Sequence, residues 1–367
     1  MARKMIDANM ALFTTLGAAV GDLVPEDICR QKRSIQTDAE EKEWLKNLSF
    51  RSSPHLVLGP LSKFVLGSFK NDIYLIAIGI DIPSPPDDLQ AVPVNAGMFT
   101  AVVSELNVPL ASIPDLPQQL REYVFYPVEE GKTELLAMDV VRPYFENFSV
   151  FKIDPSSALA LDAAHGLRAA IVATLSSPRS VPLAWPQAFR DRIGYMARDP
   201  KEHAPFHLLL RALTEARGET AFLAVYRCIE QLFPIPAIQE LSTALGISSP
   251  PLQVAAEIES HLGWRRREDD ALDHLFTNID ALLIDRIRVL SGADISAENP
   301  SRPVARRVYE LRNQCVHYRP LHRNENTPPY ETWLELCEPL LEVVQTLYAT
   351  YTAAFSLPAP ATPAPQN

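Results

Sequence analysis

The sequence predicts an α+β protein, with a β-rich mixed N-terminal domain (1–155) followed by a C-terminal all-α helical bundle (204–356). Three observations carry that reading. Short β-branched and aromatic runs bounded by Gly, Pro and Asn recur between His55 and Ile153. From Pro205 onward, apolar residues return instead at three- and four-residue steps. A chain of 367 residues allows two or three domains at about 150 residues each. Domains of that size bury a core without metal or disulfide staples.

Taken in order, the first fifty residues read as helical, with a mixed-charge run Asp38–Lys46 anchored by Trp44 and Leu45. Strands are expected at His55–Leu58, Lys63–Leu66, Asp72–Asp81, Thr100–Val108, Glu122–Val128, Glu134–Val141 and Phe148–Ile153. Pro- and Asp-rich turns such as Pro83–Asp88 separate them. They imply an antiparallel or mixed sheet, whose strand order short apolar runs cannot fix. This domain is expected to be sensory or regulatory. Helical spacing at Ala158–Ser176 and Pro186–Ala197 marks a connector (156–203). Bundle helices are expected at Phe206–Ala216, Glu219–Leu245, Leu252–Gly263, Asp269–Leu290, Pro303–Tyr318 and Tyr330–Ala354. Pro234 and Pro236 should kink or split the second of these. The Pro/Ala-rich end, 357–367, is expected to be a disordered tail.

Hydrophobic residues at 47% and charged residues at 22% are ordinary for a soluble globular protein. A net charge of −11 excludes a generally cationic binder of nucleic acid or membrane, and leaves room for a local basic site. Cys29, Cys228, Cys315 and Cys337 lie far apart and form no metal-ligand spacing. No stretch reaches the eighteen or so apolar residues a membrane span needs. A reduced, cytoplasmic protein is therefore expected. The 13 glycines form no phosphate-binding loop.

Basic residues are divided unevenly. Residues 201–367 carry fourteen arginines and only Lys201, and arginine's planar fork suits phosphate better than a lysine point charge. Six of those arginines, and two histidines, lie between Arg302 and Arg323, against a single acid, Glu310. In the helix expected there, Ser301 can cap, Pro303 fits the first turn and Pro320 stops the element. Val304, Val308, Leu311 and Cys315 form one apolar stripe. Asn313 lies opposite that stripe with Arg302, Arg306 and His317 near it, and Arg312 projects from the flank. His317 sits in the last turn, where the helix dipole favours the imidazolium. An imidazole tuned near neutrality can take the proton from an RNA 2′-OH, while another protonates the leaving 5′ oxygen. Arginine would stabilise the charge on the pentacoordinate phosphate.

Arg312-Asn313-Gln314-Cys315-Val316-His317 resembles the Arg-(polar)-x-x-x-His signature of the HEPN superfamily, helical-bundle proteins that include many ribonucleases. The segment Phe222-Leu-Ala-Val-Tyr-Arg-Cys-Ile-Glu-Gln-Leu-Phe-Pro234 looks like the early bundle helix of HEPN domains from bacterial anti-phage systems. The resemblance spans roughly residues 204–356. It implies an endoribonuclease without metal or cofactor, acting on RNA (tRNA among the candidates) in defence or as a toxin, with or without a defence-system partner protein. Arg312 and His317 would be the catalytic pair, Asn313 the polar residue that places them, and Glu230 the acidic partner on the early helix. Arg302, Arg306 and Arg319 would contact RNA. One chain supplies one histidine, so the resemblance implies a homodimer with facing motif helices.

Other readings stand beside this one. Arg-x4-His is expected about half a time by chance in this composition, and Arg198–His203 is a second match, broken by Pro200. Arg312 and His317 could be a surface arginine and a capping histidine, and Glu230 an ordinary salt-bridged residue. Trp264-Arg265-Arg266-Arg267 could touch an RNA backbone, although Glu268-Asp269-Asp270 also mark a helix start. Functionally, the alternative is a non-catalytic helical RNA-binding or protein-interaction module.

Overall fold

The computed structural model describes residues 3–51, 56–59, 61–129, 131–161, 166–177, 179–263, 267–293, 300–316 and 330–355. The chain is mixed α+β and divides into two compact units, Met1–Ser180 and Val181–Asn367. The stretch 156–203, set aside above as a connector, is therefore shared between them.

The first unit is built on helices α1 (Met5–Val20), α2 (Glu26–Cys29), α3 (Ala39–Asn47), α4 (Ala96–Leu106), α5 (Leu116–Tyr123), α6 (Met138–Val141) and α7 (Leu167–Leu175). Its strands are β1 (Arg33–Ile35), β2 (Ser49–Arg51), β3 (Lys63–Phe69), β4 (Asp72–Ile78), β5 (Leu89–Val92), β6 (Glu134–Leu136) and β7 (Phe148–Ile153). Five of them form an antiparallel sheet in the order β2-β3-β4-β7-β5, while β1 pairs in parallel with β6. The β3–β4 hairpin turns on Lys70 and Asn71, both left-handed (φ 49° and 71°), the backbone of a tight two-residue turn. One apolar core joins α1, α3 and α4 to the sheet. Within it Trp44 stacks on Phe69, with ring centroids 3.7 Å apart.

Several expected strands are something else. Thr100–Val108 falls largely in α4, a helix buried on nearly every side, so it shows no helical stripe and its valines imitate a strand. Asn95 caps it, accepting from the Met98 amide at 2.8 Å. Glu122–Val128 is the end of α5 followed by a turn and a stretch without regular secondary structure. There the Arg33 guanidinium, rather than a neighbouring strand, donates to the carbonyls of Val124 and Tyr126 (2.8 and 2.7 Å). Glu134–Val141 holds only the three-residue β6 before the chain turns into α6. In the described part of His55–Leu58, Val57 makes one isolated bridge to Lys63. Conversely, β1 and β2 lie inside the stretch read as helical, and β5 follows the Pro-rich turn unannounced.

From Phe206 to Thr350 the described residues form no strand. The second unit contains α8 (Gln187–Arg198), α9 (Phe206–Thr214), α10 (Gly218–Glu230), α11 (Ile235–Leu245), α12 (Pro251–Leu262), α13 (Glu268–Phe276), α14 (Ala281–Ser291), α15 (Ser301–Val316) and α16 (Tyr330–Thr350). Helix α10 packs against α9, α13, α15 and α16. Its neighbours bury Phe222, Tyr226, Trp333 and Tyr348. The expected helix Glu219–Leu245 is split ahead of Pro236, as its prolines require. Asp269–Leu290 is also two helices, because Asp280 caps a new one by accepting from the Leu282 amide at 2.9 Å. The run Gly218–Leu245 has the length and hydropathy of a membrane-crossing helix, yet 67% of its apolar window is buried inside the protein. Charge closes the bundle on one side: Arg192 of α8 reaches Glu342 (2.8 Å) and Gln345 (2.9 Å) of α16, and Arg286 of α14 pairs with Glu338 and Glu342.

Candidate active site

The apolar stripe places α15. Val304, Ala305, Val308 and Leu311 are fully buried, so the helix lies on α13, α14 and α10. Cys315 is half-buried at the end of the same stripe, and burial pushes its thiol up to about 12. Arg302 and Arg306, opposite, have side chains 80% exposed. Arg312 emerges between the two faces and turns inward, with only 19% of its side chain exposed.

What it turns toward is Glu230, the last residue of α10. Arg312 Nε and Nη2 both donate to Glu230 Oε1, at 3.2 and 2.9 Å. Arg312 Nη1 donates to Asn313 Oδ1 at 3.0 Å. Three of the residues selected from sequence, Arg312, Asn313 and Glu230, thus meet in one cluster. Burial works against the Arg312 charge, but the Glu230 hydrogen bond and charge, with Glu268 behind them, hold the guanidinium above its ordinary range.

Two further residues complete the cluster, and the sequence reading assigned neither to it. Glu268 opens α13, and its Oε2 stands 3.5 Å from Arg312 Nη2. Tyr226 lies one turn before Glu230 on the same face of α10, with the Arg312 guanidinium carbon 6.0 Å from its ring centroid. Tyr226 is fully buried, and its hydroxyl finds no hydrogen-bond partner among the described residues. Burial, reinforced by Glu230, raises its phenol well above the ordinary value, so it stays a neutral donor. The i, i+4 spacing of Tyr226 and Glu230 was a readable signal. Nothing local in the sequence ties Glu268 to Arg312.

The exposed arginines are occupied as well. Arg302 pairs with Asp273 of α13 at 3.5 Å and Arg306 with Glu310 at 3.2 Å. Arg307 donates to the Ser291 carbonyl at 2.8 Å. Arg267 pairs with Asp269 and Asp270 across the start of α13. His317, Arg319 and the Trp264–Arg266 run lie outside the described residues. The second formal match is divided by structure: Arg198 ends α8, while His203 lies beyond it and stacks on Phe355 at 5.8 Å. No protein-family model matches the chain, and neither does any curated protein or solved structure.

Proposed function

We propose that this protein is a metal-independent endoribonuclease of the HEPN type, serving as an anti-phage defence or toxin effector and acting as a homodimer. The observation that carries the reading is the fixing of Arg312 by Glu230 of α10 and Asn313 of its own helix. An arginine so held is pre-organised for a transition state whose charge grows on phosphate oxygens. His317 follows Val316, the last residue of α15. In the proposed reaction one His317 takes the proton from a ribose 2′-OH, and that oxygen attacks the adjacent phosphorus. The P–O5′ bond breaks, and the His317 of a second copy protonates the leaving 5′ oxygen. The products are a 2′,3′-cyclic phosphate and a 5′-hydroxyl. In this reading the first unit senses a trigger or binds a partner.

A second reading, a non-catalytic RNA-binding or protein-interaction module, is favoured by one fact: two carboxylates already face Arg312. One experiment separates the two. Purified protein is incubated with total RNA and with a tRNA pool in EDTA, beside Arg312→Ala and His317→Ala. Wild-type cleavage that leaves cyclic phosphate and 5′-hydroxyl ends, and disappears in both variants, supports the nuclease. Cleavage that survives in both variants removes Arg312 and His317 from the catalytic site, and no cleavage by any of the three favours the binding module.

A further inference from the structure

We infer that Glu268 is a built-in restraint on Arg312, and that an RNA phosphate gains this guanidinium only by displacing the Glu268 carboxylate. The inference rests on the reading above and adds a regulatory contact to the same site.

A guanidinium has five N–H groups, and phosphate is gripped best by two of them side by side. The Nε/Nη2 edge of Arg312 is committed to Glu230, and one Nη1 hydrogen to Asn313. That leaves one hydrogen on Nη1 and one on Nη2, and the Nη2 nitrogen, which a two-point grip on phosphate would need, stands 3.5 Å from Glu268 Oε2. One cation is then set against two carboxylates, and an approaching phosphate meets a cluster already negative by one charge.

The two carboxylates are not equivalent. Glu230 accepts two hydrogen bonds from Arg312. Glu268 stands beyond hydrogen-bond length, and its Oε2 is a buried acceptor that receives no hydrogen bond among the described residues. Its hold is Coulombic alone. Its side chain as a whole is 40% exposed, so the carboxylate has somewhere to go. It also sits in the first turn of α13, where the helix dipole stabilises a carboxylate in either position. Glu230 is therefore the positioning partner and Glu268 the displaceable one.

The test uses the full chain and a labelled single-stranded RNA, with its 2′-O-methyl counterpart as the uncleavable binding probe. Glu268→Gln keeps the side-chain shape and removes the charge, and Glu268→Ala removes both. Glu310→Gln deletes a negative charge from the exposed face of α15 and serves as the control. Circular dichroism and thermal unfolding establish that each variant is folded. We expect Glu268→Gln and Glu268→Ala to bind the probe about tenfold more tightly, which is about 1.4 kcal/mol. Cleavage at subsaturating RNA should rise by a similar factor, Glu310→Gln should stay within about twofold, and adding Arg312→Ala should erase the gain. If the wild type cleaves but the Glu268 variants bind no better, the restraint is refuted and the nuclease survives. If nothing cleaves yet the Glu268 variants bind more tightly through Arg312, the restraint stands and the nuclease falls. An equal gain in Glu310→Gln would reduce the effect to bulk charge and overturn the inference.

Discussion

The Tyr226 hydroxyl offers a sharp test of the cluster, because a second buried tyrosine in the same unit supplies its own control. Tyr226 and Tyr348 are both essentially inaccessible. The Tyr348 hydroxyl donates to the Cys228 carbonyl at 3.1 Å, with Gln231 Oε1 a second acceptor at 3.3 Å. The Tyr226 hydroxyl has no such partner among the described residues. Burying an unpaired hydroxyl costs about 1–3 kcal/mol, and a satisfied bond contributes about 0.5–1.5 kcal/mol. Tyr226→Phe should therefore be neutral or stabilise by up to about 1 kcal/mol, whereas Tyr348→Phe should destabilise by about 1 kcal/mol. For a unit the size of Val181–Asn367 the gap of about 1–2 kcal/mol amounts to roughly 2–8 °C between the two variants' melting temperatures. Thermal and urea unfolding followed by circular dichroism reads it directly. If Tyr226→Phe loses as much stability as Tyr348→Phe, the Tyr226 hydroxyl is bonded, and the electrostatic picture around Arg312 is wrong. If it gains stability while cleavage falls, the hydroxyl is kept for function at a cost in stability, the trade expected of an active site.

Other consequences can be measured in the same preparations. A Cβ on Gly97 would stand 1.8 Å from the Glu41 carbonyl oxygen, so Gly97→Ala should force α3 and α4 apart. We expect a loss of about 3 kcal/mol or more, and a melting temperature within about 2 °C of wild type would refute that packing. Burial raises the thiols of Cys29, Cys228, Cys315 and Cys337, Cys315 to about 12. The Cys315 thiolate fraction at pH 7.5 is then about 3 × 10⁻⁵. Ellman's reagent should find no fast thiol in the native protein and four after denaturation; rapid native labelling of Cys315 would contradict its placement. Burial also raises the phenols of Tyr226 and Tyr348 above their unfolded value of about 10. Their contribution is fully present below about pH 10 and is lost as pH climbs past it. The stability curve should fall above pH 10, and replacing both with Phe should flatten that limb.

What the sequence disclosed depended on whether a segment had one wet face. Helix α15 has a buried stripe and an exposed back, so its periodicity placed Val304, Val308 and Leu311 in the core and Arg302 and Arg306 outside. Helix α4 has almost no wet face, and its valines read as a strand. The segment after α5 looked like a strand because Val124 and Phe125 are buried. Its carbonyls are satisfied by Arg33, a long-range side-chain partner that no local pattern reveals. The same limit applies at the site. Arg312 with Asn313 is a local signal, and Tyr226 with Glu230 is one helical turn. The approach of Glu268 depends on α13 lying against α15, a tertiary fact.

That tertiary fact also changes what the proposed RNA would meet on the arginine-rich helix. By composition, residues 302–323 look like a bare cationic patch. In the fold, each arginine of α15 has an acidic partner: Asp273 for Arg302, Glu310 for Arg306 and Arg307, and Glu230 with Glu268 for Arg312. Exposed pairs of this kind are worth about 0–1 kcal/mol, so phosphates can exchange for the carboxylates cheaply at Arg302 and Arg306. At Arg312 the exchange is selective, because two hydrogen bonds hold Glu230 while Glu268 Oε2 receives none among the described residues. Binding by partner exchange also releases fewer counterions than binding to bare cations. The slope of log K against log salt should therefore be shallower than about 0.7 per arginine contacted, the single-strand value for bare cations. Glu268→Gln should restore about one such increment. Glu310→Gln, which frees the exposed and screened Arg306 while Arg307 stays largely buried on the Ser291 carbonyl, should change the slope by less. A slope that already matched one full increment per arginine in the wild type would mean that the acids do not compete, and the restraint on Arg312 would fall with it.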